Sequence, residues 1–277
     1  MKLKNIFRGF LIAPVIALLG VGFSSVQAQE ESVLVEIQKR GVLKVGMSTF
    51  VPWAMRDKEG NLIGFEIDVA TRVAEDMGVE VEFVPTQWSG IIPALLAKKF
   101  DIIIGGMSIT PQRNLTVNFT RAYANSGQQM AANIELAGDK STLEDFNSPD
   151  VTISCRRGAT PCTIAQKMFP KAEIRRFDDD AQAFQEVVNG NATATISSAP
   201  KPRFWTDANP DKVFLPFEDQ NLTRGNEAFA LRKGDPDALN YFSNWILLRQ
   251  DDGWLKETHD FWFKNQSAWI DMVSIDQ

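Results

Sequence analysis

The chain has 277 residues, of which 44% are hydrophobic and 23% charged, and its formal net charge is −6. An acidic surface argues against nucleic acid and anionic membranes as partners, and the length suits one large domain or two medium lobes with real cores. One histidine, His259 in an aromatic stretch, and two cysteines give no metal constellation, so neither a metal nor another cofactor is expected.

Lys2, Lys4 and Arg8 make a positive start, Phe10 to Val21 is almost wholly apolar, and Val26-Gln27-Ala28 places small or aliphatic residues before a cut. This predicts a secretory signal peptide over 1–28. The apolar run is shorter than the ~20 residues a spanning helix needs, and Pro14 and Gly20 interrupt it. The remaining chain is then exported, periplasmic and more acidic still, since the removed segment carries bases and no acids.

Apolar periodicity alternates between two types from there on. Val42 to Val45 reads as a buried strand, Phe65 to Met77 as an amphipathic helix stopped by Gly78, and Val79 to Val84 as a strand. Trp88 to Phe100 has helical spacing, and Asp101 to Gly106 is a short apolar run ending in glycines, as in a buried parallel strand. The pattern restarts with strand 151–155, helix 160–169, strand 172–177, helix 180–189 and strand 192–196. A strand over 226–232 and an aromatic-rich helical stretch over 236–263 complete the chain. The expected fold is α/β with two doubly wound sheets joined by two crossings: one lobe from 29–125 and 225–277, the other from 126–224. Ligands bind in the cleft of such a fold.

Cys155 and Cys162 lie seven apart. Outside the cytoplasm that spacing favours a disulfide; the alternative is a pair of small buried thiols.

Three segments then carry a resemblance. Gly64-Phe65-Glu66-Ile67-Asp68-Val69, Gln87-Trp88-Ser89-Gly90-Ile91-Ile92-Pro93-Ala94-Leu95 and Asp101 through Met107-Ser108-Ile109-Thr110-Pro111-Gln112-Arg113 are similar, in order and spacing, to signatures of family 3 bacterial solute-binding proteins. The resemblance implies a two-lobed periplasmic-binding-protein type II fold. It also implies a non-enzymatic function: uptake of an amino acid or related small carboxylate, delivered by a monomer to the membrane permease of an ABC transporter. Arg113 would clamp the ligand carboxylate, Gly106 and Ser108 would hold its polar end, Phe50 and Trp88 would stack on its side chain, and Thr160 would open a second-lobe helix toward it.

The sequence departs from that pattern twice. Ala159 stands where relatives carry a hydroxyl, and Ser198 stands where they carry the aspartate that accepts the ligand ammonium. Either the ligand lacks an α-ammonium or another acid replaces the missing one, with Glu227 and Asp179 the candidates; Asp178-Asp179-Asp180 also reads as a helix N-cap cluster. Cyclohexadienyl dehydratases share this scaffold and supply an enzymatic alternative, and a periplasmic sensor lobe supplies another.

Overall fold

The computed structural model describes residues 31–218 and 220–273. The signal peptide expected over 1–28 lies outside the described residues.

The strands are β1 (Val42–Met47), β2 (Met55–Arg56), β3 (Leu62–Ile63), β4 (Glu80–Pro85), β5 (Ile102–Ile103), β6 (Asn118–Asn133), β7 (Thr152–Arg156), β8 (Glu173–Phe177), β9 (Ala194–Ser198), β10 (Val213–Phe214) and β11 (Thr223–Leu231). The helices are α1 (Val33–Arg40), α2 (Phe65–Met77), α3 (Ile91–Leu96), α4 (Pro111–Asn114), α5 (Ile134–Ala137), α6 (Leu143–Phe146), α7 (Thr160–Met168), α8 (Asp180–Val188), α9 (Lys201–Ala208), α10 (Pro236–Asp251) and α11 (Trp254–Lys264).

The architecture is mixed α/β. Nine strands form one continuous sheet in the order β4-β1-β5-β11-β6-β9-β7-β8, with β10 paired to β6. Two parallel trios, β4-β1-β5 and β9-β7-β8, flank the antiparallel pair β11-β6. In each trio the first strand in the chain is central, as expected when helical crossovers of one hand connect parallel strands. The two groups of strands read from the sequence as separate sheets are thus hydrogen-bonded into one path through β6 and β11.

The helical readings hold where periodicity was strong. Helix α2 spans the residues expected of it and ends on Gly78 at φ 69°, a left-handed stop that glycine adopts without cost. The expected helix over 88–100 is instead a 3₁₀ turn (Trp88–Gly90) followed by the six residues of α3, and the aromatic-rich C-terminal stretch is two helices broken at Gly253. The expected strand over 101–106 shortens to two paired residues because Gly106, at φ 65°, turns the chain away from the sheet.

Two of the apolar clusters are drawn mainly from different parts of the chain. One apolar cluster gathers Leu43, Val45, Phe65, Phe229, Phe242 and Trp269 from the first and last parts of the chain. Another gathers Phe146, Ile153, Phe169 and Ile196 from the middle part. Cys155 and Cys162 form a disulfide with a Cα–Cα distance of 5.3 Å, tying the end of β7 to the first turn of α7.

Candidate functional site

The carboxyl ends of β1, β4 and β7 meet the loop after β5 and the start of β11, and most of the candidate residues gather there. A cleft of about 400 Å³ opens at this edge, lined by Ser48, Thr86, Trp88, Asp178, Asp179 and Gln182; of the expected ligand-binding residues only Trp88 lines it. This is the edge at which α/β sheets bind ligands, because side chains beyond the strand ends are not consumed by the sheet.

Gly106 shows why a glycine is needed at its position. Its φ of 65° disfavours any side chain, and a Cβ there would lie 3.0 Å from the Trp53 ring and 3.2 Å from Phe50. Its N–H donates to the Tyr123 hydroxyl at 3.1 Å, and that hydroxyl donates to Glu66 Oε1 at 2.5 Å. The amide of Gly106 is therefore committed to a buried network, and the glycine's packing serves the two aromatic rings.

Ser108 is the pivot. Its backbone bridges to Glu227 in antiparallel fashion, and its carbonyl accepts a hydrogen bond from Arg113 Nη1 at 2.8 Å. Arg113 is held on α4, which Thr110 caps by accepting from the Arg113 amide. Its other terminal nitrogen, Nη2, donates to the Gly158 carbonyl at 3.1 Å, in the turn between β7 and α7. A guanidinium has five N–H donors, so these two bonds leave three to spare. Gly158 lies against Ser89, where a Cβ would approach the Ser89 Cα to 3.2 Å.

Phe50 and Trp88 are both buried, and a guanidinium sits between them. It belongs to Arg156, the last residue of β7, whose Cζ lies 4.9 Å from the Phe50 ring centroid and 4.8 Å from the Trp88 ring. Arg113 lies over Trp88 as well, at 5.8 Å. Arg156 Nη1 donates to Ser48 Oγ at 3.2 Å, while its buried Nε has no partner. Among the described residues no carboxylate forms an ion pair with either arginine. Burial, and then the neighbouring Arg156, push Arg113 down to about 10; burial lowers Arg156 against the opposing pull of Asp180 and Asp179.

The acid whose backbone bridges Ser108 is Glu227 in β11, only 1% exposed. Its Oε1 accepts from Ser126 Oγ at 2.6 Å, and its Oε2 is buried with no partner. Burial raises it to about 7. Asp179, the other acid considered from sequence, caps α8 by accepting from the Ala181 amide at 2.7 Å, as the N-cap reading expected. Asp178 pairs with Arg157.

The remaining candidates stand further off. Ser198 ends β9 and its hydroxyl donates to Gln128 Oε1 at 3.3 Å. Thr160 opens α7 behind Ala159, which has no side-chain oxygen to cap the helix and instead packs in the apolar cluster around Trp88.

The family model for bacterial extracellular solute-binding proteins, family 3, matches residues 43–265. The chain belongs to that family. It is 27% identical to the L-cystine-binding protein TcyJ of Escherichia coli K12, over 95% of this chain and 98% of that one. It is 28% identical to the cyclohexadienyl dehydratase of Pseudomonas aeruginosa, over 92% of this chain and 94% of that one. The crystal structure of AncCDT-1, an ancestral amino acid-binding protein and precursor of cyclohexadienyl dehydratase, superposes with a TM-score of 0.77. That protein is 40% identical over 84% of this chain and 100% of its own, and is also described as a cationic amino acid solute-binding protein. The relatives of this family-3 protein are thus mostly binding proteins, with a dehydratase among them.

The arginine between the rings was missed in the sequence, where Arg156 and Arg157 look alike. The available signal was position: Arg156 ends a strand buried on both faces, so its side chain is delivered to the binding edge, whereas Arg157 follows in the turn.

The buried acids have a consequence for stability. Glu66 is raised to about 8, chiefly by burial, with the Tyr123 hydrogen bond opposing and Glu227 adding to the rise. Unfolding returns both glutamates to the ordinary value of 4.5. Between that value and about 8 the folded chain holds protons that the unfolded chain has released, so stability present at low pH is lost as pH rises. The thermal midpoint of the ligand-free protein is expected to fall by several degrees between about pH 5 and pH 8.5. A Glu66→Gln variant should flatten that slope; an identical slope in the variant would show that the pair does not set it.

Proposed function

We propose that this chain is the periplasmic solute-binding subunit of an ABC uptake system, which encloses an amino acid at the site around Ser108 and performs no chemistry on it. One observation carries the reading. Ser108 accepts at its carbonyl from Arg113, a guanidinium with spare donors, and its backbone bridges Glu227, a buried carboxylate with a free oxygen. An α-amino acid carries a carboxylate and an ammonium on one carbon, and those two groups match this pair. Glu227 then takes the part left vacant by Ser198. Phe50, Trp88 and Gly106 form the walls, and Thr160 would approach from α7. Relatives named for cystine and other amino acids agree in ligand class.

The proposed mechanics are those of a type II binding protein, with lobe 1 from 29–125 and 225–277 and lobe 2 from 126–224. Three features support this division: two parallel trios of like order, an apolar cluster drawn mainly from each part, and the β6–β11 ribbon as the pair of crossings. Arg113, donating to Ser108 on one side and Gly158 on the other, would fasten the closed form. The protein is proposed to reach the periplasm through a signal peptide cut after Ala28 and to deliver ligand, as a monomer, to a membrane permease.

A second reading rests on Glu227. A carboxyl raised to about 7 inside a binding site can donate a proton, and dehydration of a cyclohexadienyl compound needs such a donor.

The test is a thermal-shift panel of the twenty amino acids and common organic acids, with turnover of a cyclohexadienyl substrate assayed alongside. A ligand at 100 times its Kd stabilises the fold by about 2.7 kcal/mol. An L-amino acid is expected to raise the midpoint where its deaminated analogue does not, and Glu227→Gln should erase that difference. Absence of any shift across the panel would sink the proposal, and turnover would establish the second reading.

A further inference from the structure

The space between Phe50 and Trp88 is where a bound amino acid would project its side chain, and it already holds a cation of the protein's own. The Arg156 Cζ lies over both rings, 4.9 Å and 4.8 Å from the two centroids. One of its donors is used by Ser48 Oγ, and Nε is buried without a partner. Arg156 is only 6% exposed. A buried planar fork, clamped by rings and short of acceptors, is an anion site prepared in advance.

The acids nearest to it are occupied elsewhere. Asp180 Oδ2 accepts from Ser197 Oγ at 2.8 Å and pairs with the buried Lys201 Nζ at 3.4 Å. Asp179 caps α8, and Asp178 is paired with Arg157 at 2.8 Å. None of the three makes an ion pair with Arg156. Arg113 is close enough for the two guanidiniums to repel each other.

From this geometry we infer that Arg156 sets ligand specificity: the protein takes an amino acid whose side chain is anionic, an aspartate- or glutamate-like ligand, and rejects cationic ones. The inference rests on the proposed amino acid-binding function and refines it. The α-carboxylate meets Arg113, the α-ammonium meets Glu227, and the side-chain carboxylate meets the free edge of Arg156. A lysine or arginine side chain would meet a like charge in the same desolvated space, an arrangement that selects strongly against a partner.

Calorimetric titration with L-glutamate, L-aspartate, L-glutamine, L-lysine and L-arginine tests this. The wild type is expected to bind one of the two acidic amino acids at least about 30-fold more tightly than L-glutamine and the two basic ones. Arg156→Met should lose that advantage and gain affinity for the basic amino acids, while Arg156→Lys should keep the preference for acids. The wild-type ranking decides the matter even where a variant fails to fold. Binding of L-arginine or L-lysine by the wild type as tightly as the acids would overturn the inference. Equal binding of L-glutamine and L-glutamate, both lost in Arg113→Ala, would overturn it too while leaving the proposed function intact. Failure of all five ligands would overturn the inference, and the panel of twenty amino acids then decides the proposed function separately.

Discussion

Replacing Arg113 with alanine should weaken ligand binding by roughly 2–5 kcal/mol, a loss of at least about 30-fold in affinity, without unfolding the protein. The size follows from the environment. Arg113 is the cation that faces Ser108 and reaches across to Gly158. A carboxylate bound there is largely desolvated, so losing the guanidinium strands an anion as well as removing its hydrogen bonds. The fold should tolerate the change for a stated reason. Arg113 repels Arg156, so its removal relieves a like-charge contact that offsets the two lost bonds to backbone carbonyls. Arg113→Lys keeps the charge but cannot span both carbonyls from one planar group, and should bind ligand at an intermediate level. Calorimetry on both variants, with circular dichroism as the check on folding, measures the effect. Affinity unchanged in the alanine variant would remove Arg113 from the site.

The parts of the structure legible in the sequence were those with a repeating physical signal. The central strands of the two parallel trios are short and largely apolar, and helix α2 has a clear 3.6-residue stripe with a glycine stop, so their order could be read directly. Strand β6 could not. Its 16 residues include Gln128, Gln129 and Asn133, which are buried, and Asn125 and Ser126, which resemble turn residues. A strand that buries amides gives no apolar alternation, and its middle was read as a crossing between lobes. Its pairing with β11 is what joins the two groups of strands into one sheet.

The candidate site divides along the same line. Motif spacing brought out Ser108 and Arg113, and the missing acid at Ser198 pointed to Glu227. Adjacent arginines do not announce which one turns inward, and Arg156 became visible only through its distance to two rings. Asp179 and Glu227 were equal candidates for a relocated acid in the sequence. In the structure one caps a helix and lines the cleft, and the other keeps a buried oxygen unpaired.

Asp180→Ala should be the most destabilising single change near the site, costing roughly 3–5 kcal/mol. Asp180 lies at the start of α8 with its side chain 5% exposed, and Lys201, at the start of α9, is 2% exposed. Burial lowers the Lys201 ammonium, and Asp180 holds it up; Arg156 receives the same support. Removing the carboxylate therefore leaves two buried cations short of their counter-charge and takes an acceptor from Ser197. At roughly 2–4 °C per kcal/mol for a chain of this size, the thermal midpoint should fall by about 10 °C. Replacing the pair together, Asp180→Leu with Lys201→Met, should recover most of the loss, because an apolar pair needs no compensating charge. The recovery should be incomplete, because Arg156 still lacks the support that Asp180 gave it. Thermal unfolding of the two variants without ligand checks both statements. A fall of less than about 2 °C in the single variant would mean that Lys201 and Arg156 find their counter-charge elsewhere.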